Sequence, residues 1–286
     1  MVKKAALLVN GQYDVLLRRD GLKESLQAIK EHFYDYDIFY QCWDTHLNRH
    51  IFKDIDEEIF WIPMPEEKEK NPYDLVLENG IIIPGYHAER ARFASKQKQK
   101  KLKTRCFQQY SFCLLYKHVT EKYNYDYIFR TRWDVVFSKY FSADYLLHLA
   151  KTNVVGCGVS TSTKIFKAYY GSNVRKEMTP QEMQRKKRTV IRDLINSEIG
   201  IISETKNKTF DENHHTNYLS DFMMAIHKDD FDVDNSIKLF HEDIMYPSEW
   251  GWWQLFCQKR KHINVNGLTS IRRNVEQLGY KKHWKY

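Results

Sequence analysis

No stretch of the sequence approaches the roughly 18 consecutive apolar residues that a membrane-spanning helix needs, and the apolar run Ala5 to Val9 is too short for a signal peptide. Neither an anchor nor a secretory leader is therefore expected, and a cytoplasmic protein is. Cysteine is sparse and unpatterned. Cys42, Cys106, Cys113, Cys157 and Cys257 are odd in number and include no Cys-x-x-Cys pair, so neither a zinc site nor a disulfide framework is indicated, and a reducing compartment is the simpler reading. Without secretion the glycosylation tripeptide Asn207-Lys208-Thr209 reads as chance. A glycine-rich Walker loop is missing, which counts against a kinase or ATPase. Also missing are zinc-finger, RNA-recognition and helix-turn-helix patterns, internal repeats and low-complexity tracts.

What is present suits a compact enzyme. The 286 residues are enough for one large domain over 1–286, and an aromatic share of 15% favours aromatic-lined clefts over a flexible chain. The formal charge of +8 favours anionic partners, whether nucleic acid, an anionic membrane surface or phosphorylated small molecules.

The hydrophobic pattern predicts an α/β fold with a Rossmann-type, mostly parallel central sheet. Lys3 to Asn10 reads as a strand ending at Asn10-Gly11. Leu22, Leu26 and Ile29 recur at helical spacing after Asp20 and up to about Phe33, and Tyr36 to Trp43 is a second strand. Ile59 to Ile62 predicts a third strand, stopped by prolines, and Glu66 to Asn71 a charged loop. A long helix is expected over Ala88 to Tyr123, with Phe112, Leu115, Tyr116 and Val119 as its buried stripe. Tyr125 to Phe137 is the strongest strand signal. Val154-Val155 predicts another strand, Thr179 to Ser197 a charged helix, and Glu204 to His215 a polar loop. Beyond Tyr218 the pattern breaks into short apolar runs and aromatic clusters, read as a helical or irregular C-terminal part.

Chemistry concentrates in Tyr127-Ile128-Phe129-Arg130-Thr131-Arg132-Trp133-Asp134. In an extended segment side chains alternate, so Arg130, Arg132 and Asp134 are expected on one face. Paired guanidiniums suit a diphosphate, whose oxygens they bind bidentately, and Asp134 could ligate a hard divalent cation, Mn²⁺ or Mg²⁺. The alternative is a structural Arg/Asp ion pair at a strand end.

The stretch Tyr125 to Asp134 resembles the Arg-x-Arg-x-Asp variant of the Asp-x-Asp motif in bacterial lipopolysaccharide and capsule glycosyltransferases and related viral glycan-building enzymes. Further elements accompany it in the family's order: Asn10-Gly11-Gln12 at the start, a helix with Arg105 and Gln109, Leu219-Ser220-Asp221-Phe222, Pro247-Ser248-Glu249, and the basic pair Arg272-Arg273. The resemblance implies a GT-A-like fold, with a nucleotide-sugar-binding half (1–137) and an acceptor-side half (138–286). It implies transfer from a nucleotide-sugar donor to a glycan or glycolipid acceptor, inverting and divalent-metal assisted. Asn10, Gly11, Arg105, Gln109, Arg130 and Arg132 would hold the donor, and Asp134 the metal. Arg132 stands where the common motif has its first aspartate, so Asp134 is the lone expected metal ligand.

An inverting transfer needs a carboxylate base beside the acceptor hydroxyl, and Asp221, Asp243 and Glu249 are the candidates in that order. For Asp221 the alternative is a helix N-cap. Glu249 to Trp253 is the densest aromatic cluster. Most of it is expected in the core, with Trp250 or Trp253 available to a ligand. The basic stretch from Arg90 to Arg105 reads as a solvated helix face. It also supports the competing function, a polyanion-binding protein or nuclease, although no nucleic-acid partner is expected. The tail Lys281 to Tyr286 allows peripheral contact with an anionic membrane, though most such tails fray.

Overall fold

The computed structural model describes residues 5–11, 19–65, 96–138, 141–158, 182, 201–204, 219, 222–242, 245, 248–257, 260–266, 268–271 and 284–285, with backbone alone at 19–20, 96–105, 138, 201–204, 248–250, 253, 266, 270–271 and 284–285. In chain order the elements are β1 (Ala5–Val9), α1 (Arg19–His32), β2 (Asp37–Asp44), α2 (His46–Ile51), β3 (Ile59–Pro63), α3 (Lys96–Thr120), β4 (Tyr127–Thr131), β5 (Val135–Ser138), α4 (Ala143–Ala150), β6 (Val154–Gly158), β7 (Ile201–Glu204), β8 (Met223–His227), α5 (Val233–His241), α6 (Ser248–Phe256), β9 (His262–Asn266), β10 (Thr269–Ile271) and β11 (Trp284–Lys285).

Eight strands form one sheet in the order β3-β2-β1-β4-β8-β6-β9-β7. β1 pairs in parallel with β2 and β4, as does β2 with β3 and β6 with β9, while β8 runs antiparallel to both of its neighbours. The fold is therefore α/β with a mostly parallel central sheet flanked by helices, as the sequence predicts. Both halves of the chain build this one sheet.

β1 shows why the sheet is central. Its sequence is apolar at every position, and Ala6 and Leu8 enter one core cluster while Ala5, Leu7 and Val9 enter the other. A strand buried on both faces needs no polar alternation. The first cluster lies under α3, α5 and α6, and the predicted stripe Phe112, Leu115, Tyr116 and Val119 is fully inside it. The second lies under α1 and α4, where Leu22, Leu26, Ile29 and Phe33 form the buried stripe and Phe33 packs edge-on against Phe129.

Helix α3 runs antiparallel to the parallel strands. Its C-terminal end lies at the amino edge of the sheet, with His118 stacked on Phe60 at the start of β3, whereas Gln108 is level with the end of β1. The twelve residues before Gln108 therefore extend about 18 Å past the carboxyl edge, at ~1.5 Å per residue.

Three expectations need correction. Tyr125 to Phe137 is not one strand: β4 ends at Thr131, residues 132–134 form a turn, and β5 joins a separate three-stranded sheet in the order β10-β5-β11. The run after Asp221 is strand β8, not a helix, so the N-cap alternative for that aspartate falls. The tail contributes β11, which pairs with Phe137 and Ser138 instead of fraying. The predicted loop Glu66 to Asn71 lies outside the described residues, as do the Glu204 to His215 loop apart from Glu204, which ends β7, and the Thr179 to Ser197 helix apart from Glu182.

Candidate functional site

The chain leaves β1 towards β2 and β3 on one side, and returns as β4 on the other. The carboxyl ends of β1 and β4 therefore flank a topological switch point, the place where open α/β sheets leave a ligand crevice. Asn10 and Gly11 follow β1 there, and Thr131 and Arg132 close β4. The Asn10 amide N–H donates to the Thr131 carbonyl at 3.1 Å, which extends the β1–β4 pairing to the lip.

A buried polar cluster lies directly beneath this lip, on the α3 side. Arg130 Nε donates to Asn10 Oδ1 at 2.7 Å. Asn10 Nδ2 in turn donates to Ser111 Oγ at 2.7 Å and to the Gln108 carbonyl at 2.9 Å, tying α3 to the strand ends. Arg130 is 1% exposed, and its guanidinium lies 4.4 Å from the centre of the Trp252 ring on α6. Arginine suits that place because its delocalised plane both hydrogen-bonds at the edge and stacks on its face. Gln109 is buried in the neighbouring turn of α3.

Gly11 has φ of +110°, a conformation that residues with a Cβ rarely adopt. Its N–H donates to Oε1 of Gln41, a wholly buried residue of β2 whose Nε2 makes no hydrogen bond among the described residues. The Gln41 carbonyl accepts from Trp133 Nε1 at 2.9 Å. This pins the 132–134 turn across the end of β1 and stacks Trp133 on Tyr40. Burial, with a smaller push from Glu57, raises the Tyr40 hydroxyl well above its ordinary pKa, so it stays protonated.

Within the turn Arg132 and Asp134 bind each other. Nε donates to Oδ1 at 2.8 Å and Nη2 to Oδ2 at 3.1 Å, a two-bond fork. The Arg132 side chain is 23% exposed and that of Asp134 only 3%. The expected convergence of Arg130, Arg132 and Asp134 on one strand face is therefore replaced by two separate arrangements. Arg130 is buried below the lip, and the Arg132–Asp134 clasp lies in the turn above it. A similar fork joins Arg49 to Asp44 at the carboxyl end of β2, with Arg49 also 4.1 Å from the centre of the Trp61 ring. The hydrogen bond from Arg49 holds the exposed Asp44 carboxyl below its usual pKa.

The metal reading fits these residues poorly. Both Asp134 oxygens face Arg132, the carboxylate is nearly inaccessible, and no group of three or more His, Cys, Asp or Glu able to hold a metal exists among the described residues.

Of the candidate bases, Asp221 and Asp243 lie outside the described residues. Phe222, next after Asp221, accepts a hydrogen bond at its carbonyl from the Thr131 hydroxyl, and β8 then begins opposite Thr131. Glu249 falls in the first turn of α6. That helix points its start towards the carboxyl edge, since Trp252 meets Arg130 near that edge while Phe256 meets Phe231 deeper in the core. Of Arg105, Glu249, Trp250 and Trp253 only the helical backbone is described, and Arg272 and Arg273 lie outside the described residues.

Gln41, Ser111, Gln108 and Asp44 escaped the sequence reading. Gln41 did carry a signal, as a polar residue inside the otherwise apolar Phe39-Tyr40-Gln41-Cys42-Trp43.

No known protein family's profile matches the chain, and no curated protein matches its sequence. Solved structures similar to it include the mannosyltransferase Ktr4p from S. cerevisiae in complex with GDP, at 12% identity and a TM-score of 0.37 over 86% of this chain and 63% of that one. A second structure of the same mannosyltransferase aligns at 14% identity and a TM-score of 0.33, over 86% and 62% of the two chains. This chain thus spans less than two thirds of the length of those proteins. Among the described residues no helix is long and apolar enough to cross a membrane.

Proposed function

We propose that the chain is a glycosyltransferase that moves a sugar from a nucleotide-sugar donor to a glycan or glycolipid acceptor, as in polysaccharide or lipopolysaccharide biosynthesis. The observation that carries the reading is the switch point between β1 and β4: Asn10 and Gly11 stand at its lip and Arg130 lies just beneath, bonded to Asn10 although 120 positions separate the two, and the sequence motifs single out all three. A diphosphate suits such a place because the Arg132 guanidinium, 23% exposed in the turn above the lip, offers charge-assisted hydrogen bonds to its oxygens. In this reading 1–137 hold the donor and 138–286 present the acceptor.

In the reaction the acceptor hydroxyl oxygen bonds to the anomeric carbon. The bond from that carbon to the diphosphate oxygen breaks, and its electron pair leaves with the nucleoside diphosphate. The hydroxyl proton passes to a carboxylate, with Asp221 the first candidate, followed by Asp243 and Glu249. Attack opposite the leaving group inverts the anomeric centre. The resemblance implies help from Mn²⁺ or Mg²⁺, but Asp134, the lone candidate ligand, is already forked by Arg132 and fits a cation poorly. A cytoplasmic protein in peripheral contact with an anionic membrane fits a glycolipid acceptor.

The test is a thermal-shift panel of nucleoside diphosphates and nucleotide sugars. A ligand of the native state at 100 times its Kd adds about 2.7 kcal/mol of stability. One base is expected to stand out, and Asp221→Asn is expected to keep that shift while losing sugar transfer. No shift with any nucleotide, alongside salt-sensitive nucleic-acid binding, would replace the proposal with the polyanion-binding alternative.

A further inference from the structure

We infer that Arg132, held by Asp134, takes the place of the divalent cation at the donor diphosphate, so that donor binding needs no metal. This rests on the donor-site reading above and concerns the same crevice. Three observations carry it. The first is the two-bond fork between Arg132 and Asp134, which engages both carboxylate oxygens, so a cation binding there would have to sit beside the guanidinium already paired with them. The second is the order of exposure: the arginine side chain is 23% exposed and the aspartate 3%, so an approaching phosphate meets the guanidinium, and an approaching cation meets a positive group in front of a buried carboxylate. The third is that this turn is fixed from below. Trp133 between the two residues donates to the Gln41 carbonyl, and the adjoining Thr131 hydroxyl donates to the Phe222 carbonyl.

A fixed cation on a rigid turn does what a metal does for a departing diphosphate. As the anomeric bond breaks, one further negative charge collects on the terminal phosphate, and a preorganised guanidinium neutralises it without being released and rebound. Asp134 acts through Arg132 and is therefore a positioning residue: it sets the angle of the fork and prevents the arginine from swinging into solvent.

The experiment measures the Kd of UDP, GDP and CDP by calorimetry, in Mn²⁺ and in chelator, for the native protein, Arg132→Lys, Asp134→Ala and the paired variant Arg132→Ala/Asp134→Ala. The paired change leaves no buried charge unmatched, so it keeps a folded protein in the comparison. For the native protein the Kd of the preferred nucleotide is expected to agree within about twofold in the two media, and the paired variant to bind at least about tenfold more weakly in both, the loss of one charge-assisted fork. Arg132→Lys is expected to fall between them, because an ammonium keeps the charge but not the fork. Asp134→Ala is expected to weaken binding by the same factor in Mn²⁺ and in chelator. If the native protein loses affinity tenfold or more on chelation, or Asp134→Ala loses it only in Mn²⁺, Asp134 is a metal ligand and the inference fails while the donor site stands. Metal-independent binding that the paired variant leaves intact also overturns it. Failure of every nucleotide to bind in either medium removes the donor reading itself, and the inference with it.

Discussion

Arg130 on β4 donates to Asn10 at the end of β1, and so joins two residues 120 positions apart across the seam where the sheet changes direction. The same asparagine holds two groups of α3. One side chain therefore ties together strand, strand and helix at the lip of the crevice.

Asn10→Ala removes all three of these hydrogen bonds, one of them to a charged donor. A loss of about 2–4 kcal/mol is expected, read as a lower urea midpoint at an unchanged m-value. Nucleotide affinity should fall as well, because Arg130 and α3 lose their shared anchor. An unchanged midpoint would mean that the cluster contributes nothing to the fold.

Gly11→Ala tests the backbone alone. A Cβ there would meet Gln108 at no less than 3.4 Å, an ordinary contact, so the cost comes from φ of +110°. About 1–3 kcal/mol of destabilisation is expected, with weaker nucleotide binding if Gly11 N–H stays on Gln41 only in the strained form. Equal stability of the variant and the native protein would show that the lip relaxes freely.

Arg260→Ala probes the opposite edge of the sheet. Arg260 forks onto Asp230, which is only 4% exposed, and Nη1 also donates to the Lys151 carbonyl at 3.0 Å. Truncation leaves a buried carboxylate without its fork, and a loss of about 3 kcal/mol is expected. The folded fraction should bind nucleotide as before. A matching drop in affinity would show that the two edges are coupled.

The thiols predict an alkaline limit. Burial raises Cys157 from its ordinary 9.0 to about 12, and raises Tyr116 from 10.0 to about 12, with smaller pushes from Asp229 and Asp230. Both groups keep their protons in the folded state above the pH at which the unfolded chain has released them. The unfolded state then binds fewer protons, so stability is level below about pH 9 and falls as pH rises towards 12. Urea midpoints at neutral pH and above pH 10 check this, and Cys157→Ala should shallow the slope. All five thiols are buried, so a thiol reagent should label them only after denaturant is added.

The sheet's first half was legible in the sequence because β1 and β3 carry apolar runs followed by Asn10-Gly11 and Pro63, β2 carries an apolar run interrupted only by Gln41, and α1 and α3 carry helical stripes. β7 and β9 were not read. Each is a short segment whose partners lie far along the chain: His262 pairs with Val154, and periodicity does not encode that distance. The turn at residues 132–134 was misread for a related reason. Trp133 and Val135 look like strand residues, yet the chain turns there because the Trp133 indole has a partner in β2 and the following residues leave for a second sheet. Arg130, Asn10 and Gly11 were found through their motifs. The contacts by which Gln41, Ser111 and Trp252 hold them in place became visible only in three dimensions.

The placement of β8 between β4 and β6 has a consequence for how the protein is made. Thr131 pairs with Met223, so β4 is synthesised about ninety residues before its neighbour, a wait of roughly 5–20 s at ribosomal speeds of ~5–20 residues per second. Throughout that interval a growing chain carries a hydrophobic strand with one bare edge, Ile128 and Phe129 included. Newly made chains are thus exposed to aggregation in proportion to elongation time, and slowing translation anywhere between these strands should lower the soluble yield without altering a single contact of the finished fold.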